Sequence, residues 1–253
     1  MWLDKQIKGL KSAFTLLTAL PLTPNNTGLF NGITFFPLVG FFLGFINYAL
    51  HVILFSGLSP ELEATLIIGV QFVLTRGLHW DGLMDTFDGL FVFAKKERRL
   101  EILKNTSVGS FGMFGCIFCF LAFVFLLVSL EEPFKSIALF LFPVAGRLAL
   151  VELAYIGQPA KKDGLGSLFL KGLSRLGLLN ATLITALIFF FIAPSLSFII
   201  CGLFITFIGS FFWAKICNRY FGGITGDLLG AHLILSELLF LITTGVYTKL
   251  SGA

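Results

Sequence analysis

The chain has 253 residues, of which 57% are hydrophobic and 13% charged, with 32 phenylalanines and a mean hydropathy of +0.94. That composition excludes an ordinary water-soluble domain and predicts an all-α fold, a polytopic integral membrane bundle read as one domain over 1–253. The net charge of +4 comes with no nucleic-acid motif, so the bases are read as neighbours of anionic lipid headgroups in a bilayer, with no nucleic-acid partner.

At the start of the chain, Lys5, Lys8 and Lys11 precede a short apolar run, Ala13-Phe14-Thr15-Leu16-Leu17, that ends at Pro21. The run is too short for a span and lacks a small-residue cleavage site, which predicts a retained helix lying in the membrane interface. Apolar stretches approaching the roughly 20 residues a bilayer requires follow at 33–56, 60–76, 111–130, 134–156, 177–194, 196–213 and 228–248, about seven spans with the second the shortest. With the N-terminus in the cytoplasm, this count leaves only Lys135 and Lys249 outside and Arg147 within a span, and puts every other Lys and Arg on the cytoplasmic side. Such a distribution is what the positive-inside rule demands.

Between the second and third spans runs His79-Trp80-Asp81-Gly82-Leu83-Met84-Asp85-Thr86-Phe87-Asp88-Gly89. Spacing of i, i+4 and i+7 puts Asp81, Asp85 and Asp88 on one helical face, where they repel each other unless a cation sits among them. Hard oxygen donors select Mg²⁺ or Mn²⁺, and Mg²⁺ commonly takes one or two carboxylates together with substrate phosphates. A helix start with solvated acids is the plainer alternative. The crowding of three acids into this segment, in a chain with only 14, favours the metal.

Next comes Lys95-Lys96-Glu97-Arg98-Arg99-Leu100-Glu101-Ile102-Leu103-Lys104-Asn105, which reads either as a solvated amphipathic helix or as a phosphate clamp. In the clamp, Arg98 and Lys104 grip oxygens, Glu101 is a metal ligand or an orienting acceptor, and Arg99 is left on the solvated side. Gly109-Ser110-Phe111-Gly112 either turns the chain or offers backbone amides to phosphate. Cys116 and Cys119 lie in an apolar span and are read as small packing residues. Lys161-Lys162-Asp163-Gly164-Leu165-Gly166 is expected to be a connecting loop. In the last segment, Asp227 is either a helix cap or a functional acid. Glu237, about 15 Å deeper at 1.5 Å per residue, is an intramembrane acid and thus a functional candidate. Arg147 and Glu152 are expected to pair with each other or with Glu237, as a structural ion pair or as a substrate contact.

Taken in order, His79-x-Asp81-Gly82-Leu83-x-Asp85-Thr86-x-Asp88-Gly89, Arg98-x-x-Glu101-Ile102, Gly109-x-x-Gly112, Gly164-Leu165-Gly166 and Gly223-x-Thr225-Gly226-Asp227-x-x-Gly230 resemble the cobalamin synthase family (adenosylcobinamide-GDP ribazoletransferase). The likeness also takes in Phe36-Pro37-Leu38-Val39-Gly40 and Glu237-Leu238. It implies a multi-pass enzyme of the cell inner membrane, Mg²⁺-dependent, that joins adenosylcobinamide-GDP to α-ribazole or its 5′-phosphate and releases GMP on the cytoplasmic side. By the same resemblance Asp81, Asp85 and Asp88 are catalytic metal ligands. His79, Arg98, Glu101, Lys104, Gly226, Asp227 and Glu237 bind substrate, and other late enzymes of the cobalamin pathway are expected partners. The chain departs from the family pattern at Asn105 and Phe111, where members carry an acid and a histidine. Two other classes stay open. A different Mg²⁺-dependent membrane transferase with a diphosphate substrate, of the CDP-alcohol phosphotransferase or prenyltransferase kind, also uses spaced aspartates, although Leu83-Met84-Asp85 stands where the former has its x-x-Ala-Arg. A transporter would use Arg147, Glu152 and Glu237 as coupling groups, but no inverted repeat is visible.

Overall fold

The computed structural model describes residues 2–20, 32–55, 57–105, 107–160, 170 and 172–252. Pro21, the loop of Lys161 to Gly166 and Lys171 lie outside the described residues. Among those described there are ten α-helices and no β-strand: α1 (Trp2–Leu17), α2 (Phe36–Ala49), α3 (Pro60–Leu74), α4 (Leu78–Phe91), α5 (Lys96–Ile102), α6 (Ser110–Ser129), α7 (Phe134–Ile156), α8 (Arg175–Ile192), α9 (Leu196–Phe221) and α10 (Gly226–Ser251). Six helical stretches are long and apolar enough to cross a membrane: Ile33–Leu54, which contains α2, and helices α6 to α10.

The predicted second span falls short of that length. Helix α3 has 15 residues, about 22 Å at 1.5 Å per residue against a hydrocarbon core of about 30 Å. It stops because Arg76 and Gly77 both take positive φ, 56° and 66°, and the Gly77 N–H closes back on the Phe72 carbonyl at 2.8 Å. The broken end rests on α1: the Ala19 N–H donates to the Leu74 carbonyl at 2.6 Å, and the Arg76 guanidinium to the Thr15 carbonyl at 3.1 Å. The chain restarts as α4, so the aspartates stand on a helix of their own just past the break.

Helix α7 is the hub, with 94% of its apolar window buried within the protein. In lipid there is no hydrophobic drive to pair helices, so close backbone approach and interhelical hydrogen bonds carry the association. Gly40 and Gly44 of α2 supply the approach. A Cβ on Gly44 would lie 2.0 Å from the Phe140 carbonyl oxygen, and one on Gly40 2.5 Å from that of Pro143. The Asn47 amide donates to the Leu139 carbonyl at 3.1 Å and accepts from Gln71 Nε2 at 2.7 Å, so α2, α3 and α7 are sewn together.

Among the described residues, several ionisable groups within the bundle find partners. Lys135, one of the two bases left outside by the charge count, reaches Glu63 at 2.5 Å, and His51 bridges Glu63 and Glu132. Arg147 pairs with Glu237, which decides between the partners read from sequence. Glu152 instead accepts from Ser210 at 3.0 Å and Thr206 at 3.3 Å, with Ser210 in turn 2.8 Å from His232 Nε2.

A glycine that touches backbone cannot be enlarged without parting two helices, a cost of at least the ~1–3 kcal/mol of ordinary overpacking. Gly44→Leu should lose the monodisperse, heat-stable species seen by fluorescence-detected size exclusion. Gly69→Leu, at a site with nothing within 4 Å, should keep it.

Candidate active site

Helix α4 packs on the first turns of α10, and two glycines make the approach close. A Cβ on Gly82 would fall 2.7 Å from the Asp227 carbonyl oxygen, and one on Gly230 3.3 Å from His79 Cα. As residue numbers rise along α4 they fall along α10, so the helices run antiparallel. Asp81 and Asp85 are thereby carried up to Asp227, which begins α10 beside the capping residue Thr225. The electrostatics record the gathering. Asp85's carboxyl is pushed up to about 7, first by burial and then by the charges of Asp81, Asp227 and Asp88. Four carboxylates on two helices therefore form one acidic centre. The sequence alone reads Asp227 as a substrate-binding residue or a cap. The signal that reaches it is the glycine spacing, Gly82 on one helix and Gly230 on the other.

Asp88 has a second task. Its Oδ2 accepts the Gly109 N–H at 2.7 Å and its Oδ1 the Gly112 N–H at 2.8 Å. A negative charge thus holds the N-terminus of α6, where unpaired amides and the helix dipole both favour it. The amides read from sequence as a phosphate cradle are held by this carboxylate, although each of its oxygens keeps a second lone pair. A Cβ on Gly112 would sit 2.5 Å from Asp88 Oδ2, so only glycine admits the contact.

The basic helix α5 sends its two adjacent arginines to different surroundings. Arg99, read above as solvent-facing, is buried. Its Nε donates to the Ala94 carbonyl at 3.0 Å and its Nη1 to those of Gly89, at 2.7 Å, and Leu90, while the guanidinium lies 5.2 Å from the centre of the Tyr220 ring. It caps the last turn of α4, whose carbonyls have no helical partner. Arg98 is exposed and pairs with Glu101 at 2.9 Å, and Lys104 is also exposed. Helix periodicity alone could not separate adjacent arginines, because which of them turns inward depends on where α5 docks.

His79 is buried, and its Nε2 has no hydrogen-bond partner among the described residues. Burial, then the charge of Arg147, lowers its pKa to about 3, so the imidazole is neutral. Together with Asp81, Gly226 and Asp227 it lines a cavity of about 210 Å³ that Leu16 and Leu17 of α1 help to wall. Glu237 stands apart, about 15 Å along α10 from Asp227 at 1.5 Å per residue, held by Arg147. Of the two departures from the family pattern, Asn105 Oδ1 accepts the Ser107 N–H at 3.3 Å, and Phe111 packs on Phe91 with ring centres 5.8 Å apart.

Among the described residues no three His, Cys, Asp or Glu side chains are drawn into a ready-made metal cage. Asp81, Asp85 and Asp227 are nevertheless hard oxygen donors on facing helices, and their mutual repulsion is the kind a divalent cation relieves. Such a donor set fits Mg²⁺, which needs only one or two carboxylates when the substrate brings phosphate oxygens.

The model of the cobalamin-5-phosphate synthase family matches residues 9–245. The chain belongs to this family. Similar curated proteins are the adenosylcobinamide-GDP ribazoletransferases of Syntrophobacter fumaroxidans, 38% identical over 92% of this chain and 95% of that protein, and of Clostridium kluyveri, 34% identical over 90% and 92%. That of Thermoanaerobacter pseudethanolicus is 33% identical over 94% and 97%. No solved structure matches the chain. The family match covers every residue of the acidic centre, α4 and the start of α10 alike.

The two kinds of aspartate should separate in melting experiments at pH 8 without divalent metal. A carboxyl whose pKa is raised by folding destabilises the fold above that pKa, so Asp85→Asn should melt higher than the wild type. Asp88→Asn should melt lower, because one amide loses a charge-assisted acceptor whose hydrogen bond is typically worth ~1.5–3 kcal/mol.

Proposed function

We propose that the acidic centre transfers the adenosylcobinamide phosphate moiety of adenosylcobinamide-GDP to α-ribazole, or to α-ribazole 5′-phosphate, with GMP as the leaving group. The observation that carries the reading is the convergence of Asp81, Asp85 and Asp227 at the Gly82 contact, in a chain whose family and named relatives belong to this reaction. A ribose hydroxyl of the acceptor forms the new oxygen–phosphorus bond at the phosphorus bound to cobinamide. The bond to GMP breaks with its electron pair going to the GMP phosphate oxygen, and the hydroxyl proton passes to solvent. Both reacting oxygens and the phosphorus between them carry charge, so catalysis is chiefly positioning and charge neutralisation. Asp81, Asp85 and Asp227 would hold Mg²⁺, which when bound would supply countercharge to the diphosphate.

Asp88 fixes the start of α6 against α4, and Arg99 fixes the end of α4 against α5 and Tyr220. Together they hold the carboxylate-bearing helix at both sides of the centre. Arg98 and Lys104, exposed on α5, are placed to meet the diphosphate from solvent once Arg98 leaves Glu101. The bases that flank the site support a cytoplasmic face of the cell inner membrane, where a nucleotide-activated substrate is available.

The test is a purified-protein assay with adenosylcobinamide-GDP, α-ribazole and Mg²⁺, following GMP and cobalamin in equal amounts. Asp81→Asn, Asp85→Asn and Asp227→Asn should each lower turnover by about 100-fold or more, as loss of a charge-stabilising group does, while the proteins remain inserted and monodisperse. Near-normal turnover of any one at saturating Mg²⁺ removes that carboxylate from the centre. In a cysteine-free background, a cysteine at position 96 should react with impermeant reagent only from the cytoplasmic side. Labelling from the opposite side would overturn the orientation.

A further inference from the structure

Far from the acidic centre, at the other end of the bundle, α6 and α10 part around a second cavity. Helix α10 begins beside Asp227 and carries Lys249 in its last turn, about 33 Å further along at 1.5 Å per residue, so the two residues stand near opposite faces of a bilayer. Helix α6 ends at Ser129, and Glu131 and Glu132 follow it before α7 starts. A cavity of about 460 Å³ lies between these ends, with Leu126, Phe134, Ile242 and Val246 among its apolar walls and the exposed Glu131, Glu132 and Lys249 as its charged members. That volume is within the roughly 300–1,000 Å³ of sites that hold small ligands.

Ile242, Val246 and Lys249 are spaced i, i+4 and i+7, which puts the base on the same face of α10 as two apolar residues that are about half exposed. The face leads from hydrocarbon to headgroup level. Gly245 leaves room along it, since a Cβ there would find its nearest neighbour, Leu130 Cδ2, as far away as 4.0 Å. The charges are the second observation. Glu131 and Lys249 line one cavity, yet among the described residues neither forms an ion pair, with the other or with any third group. Glu132 has His51 at 2.8 Å and the Ser136 amide at 3.4 Å. Opposite charges that share a cavity without meeting fit a ligand that carries both signs, and apolar walls running on from them fit a ligand with a tail.

We propose that this cavity binds a zwitterionic phospholipid with a primary ammonium headgroup, phosphatidylethanolamine, in the leaflet opposite the acidic centre. Its ammonium has three N–H donors, as a lysine has, and meets the carboxylate of Glu131. Its phosphate meets Lys249, and an acyl chain lies over Gly245 against Leu126, Ile242 and Val246. Phosphatidylcholine carries the same charges but no N–H, so it forfeits the charge-assisted hydrogen bonds to the acids. Phosphatidylglycerol offers Lys249 a phosphate and offers Glu131 nothing, and its net charge is repelled by both glutamates. A bound lipid would tie the end of α6 to the last turn of α10, the helix whose first turn holds Asp227, and would stabilise the fold in proportion to its occupancy.

The experiment presents the purified full chain in detergent with equimolar phosphatidylethanolamine, phosphatidylcholine and phosphatidylglycerol of identical acyl chains, and counts retained lipid by native mass spectrometry. Phosphatidylethanolamine should be retained over each of the others by about tenfold, the worth of one charge-assisted hydrogen bond. Glu131→Gln should remove most of the preference over phosphatidylcholine, and Glu131→Lys should reverse the order in favour of phosphatidylglycerol. Gly245→Phe, which occupies the place of the chain, should lower retention of all three lipids. Glu61→Gln, exposed on α3 and outside the cavity, should change nothing. If Gly245→Phe does not fold, the two substitutions at the exposed Glu131 decide alone. Equal retention of the three lipids by the wild type, retention of none, or a preference for phosphatidylglycerol overturns the assignment. So does a preference for phosphatidylethanolamine that survives both changes at Glu131. Displacement of the lipid by an equal concentration of soluble glycerophosphoethanolamine would give the site to the headgroup alone and overturn the lipid as its ligand.

Discussion

Electrostatic repulsion among four carboxylates at the contact of α4 and α10 is the constraint around which the rest of the molecule is arranged. Left to themselves, Asp81, Asp85, Asp88 and Asp227 would drive the two helices apart. Gly82 and Gly230 allow the backbones to approach, but approach alone does not hold like charges together. The restraint comes from the ends. Asp88 spends its charge on two amides of α6, and Arg99 gathers three carbonyls from the end of α4 and the turn after it. What remains at the centre is a set of mutually repelling acids, on a helix held at both ends.

The spans below the centre answer a different demand, that ionisable groups in hydrocarbon be paired. Arg147 is fully enclosed and has Glu237 as its partner, while Glu152 draws on two hydroxyls of α9. Gly146 accommodates the Glu237 side chain, since a Cβ there would lie 2.5 Å from its Cγ. These groups tie α7 to α9 and α10, the helix that begins with Asp227. Through α10, the position of the acidic centre depends on the buried pair of Arg147 and Glu237.

Much of this was legible in the sequence for identifiable reasons. Spans could be read because hydrocarbon demands long apolar runs, and the aspartate face because helical spacing is regular. Where reading from sequence failed, a three-dimensional contact decided the outcome. The predicted span at 60–76 became a 15-residue helix, because Arg76 and Gly77 take left-handed backbone angles that an apolar profile does not register. Arg98 and Arg99 are chemically alike, and only the docking of α5 on Tyr220 and the end of α4 sends one inward. Asp227 lies far along the chain from Asp81, so its place in the centre depended on a helix crossing. Gly109 and Gly112 read from sequence either as a turn or as amides for phosphate, and the anion that meets those amides is Asp88, which stands 21 and 24 residues away in the chain.

The shortness of α3 has a bearing on the bilayer itself. An apolar rod of about 22 Å beside a lipid core of about 30 Å is a hydrophobic mismatch, which membranes relieve by thinning locally or by drawing interfacial groups inward. Helix α1 lies against that truncated end, tethered through Ala19 and Thr15, and fills part of the missing depth with an amphipathic surface. A leaflet that met α3 and α1 at this level would thin there, and water and headgroups would descend toward the start of α4. The thickness of the surrounding lipid is then a variable to which the seating of α4, and of the aspartates it carries, would respond.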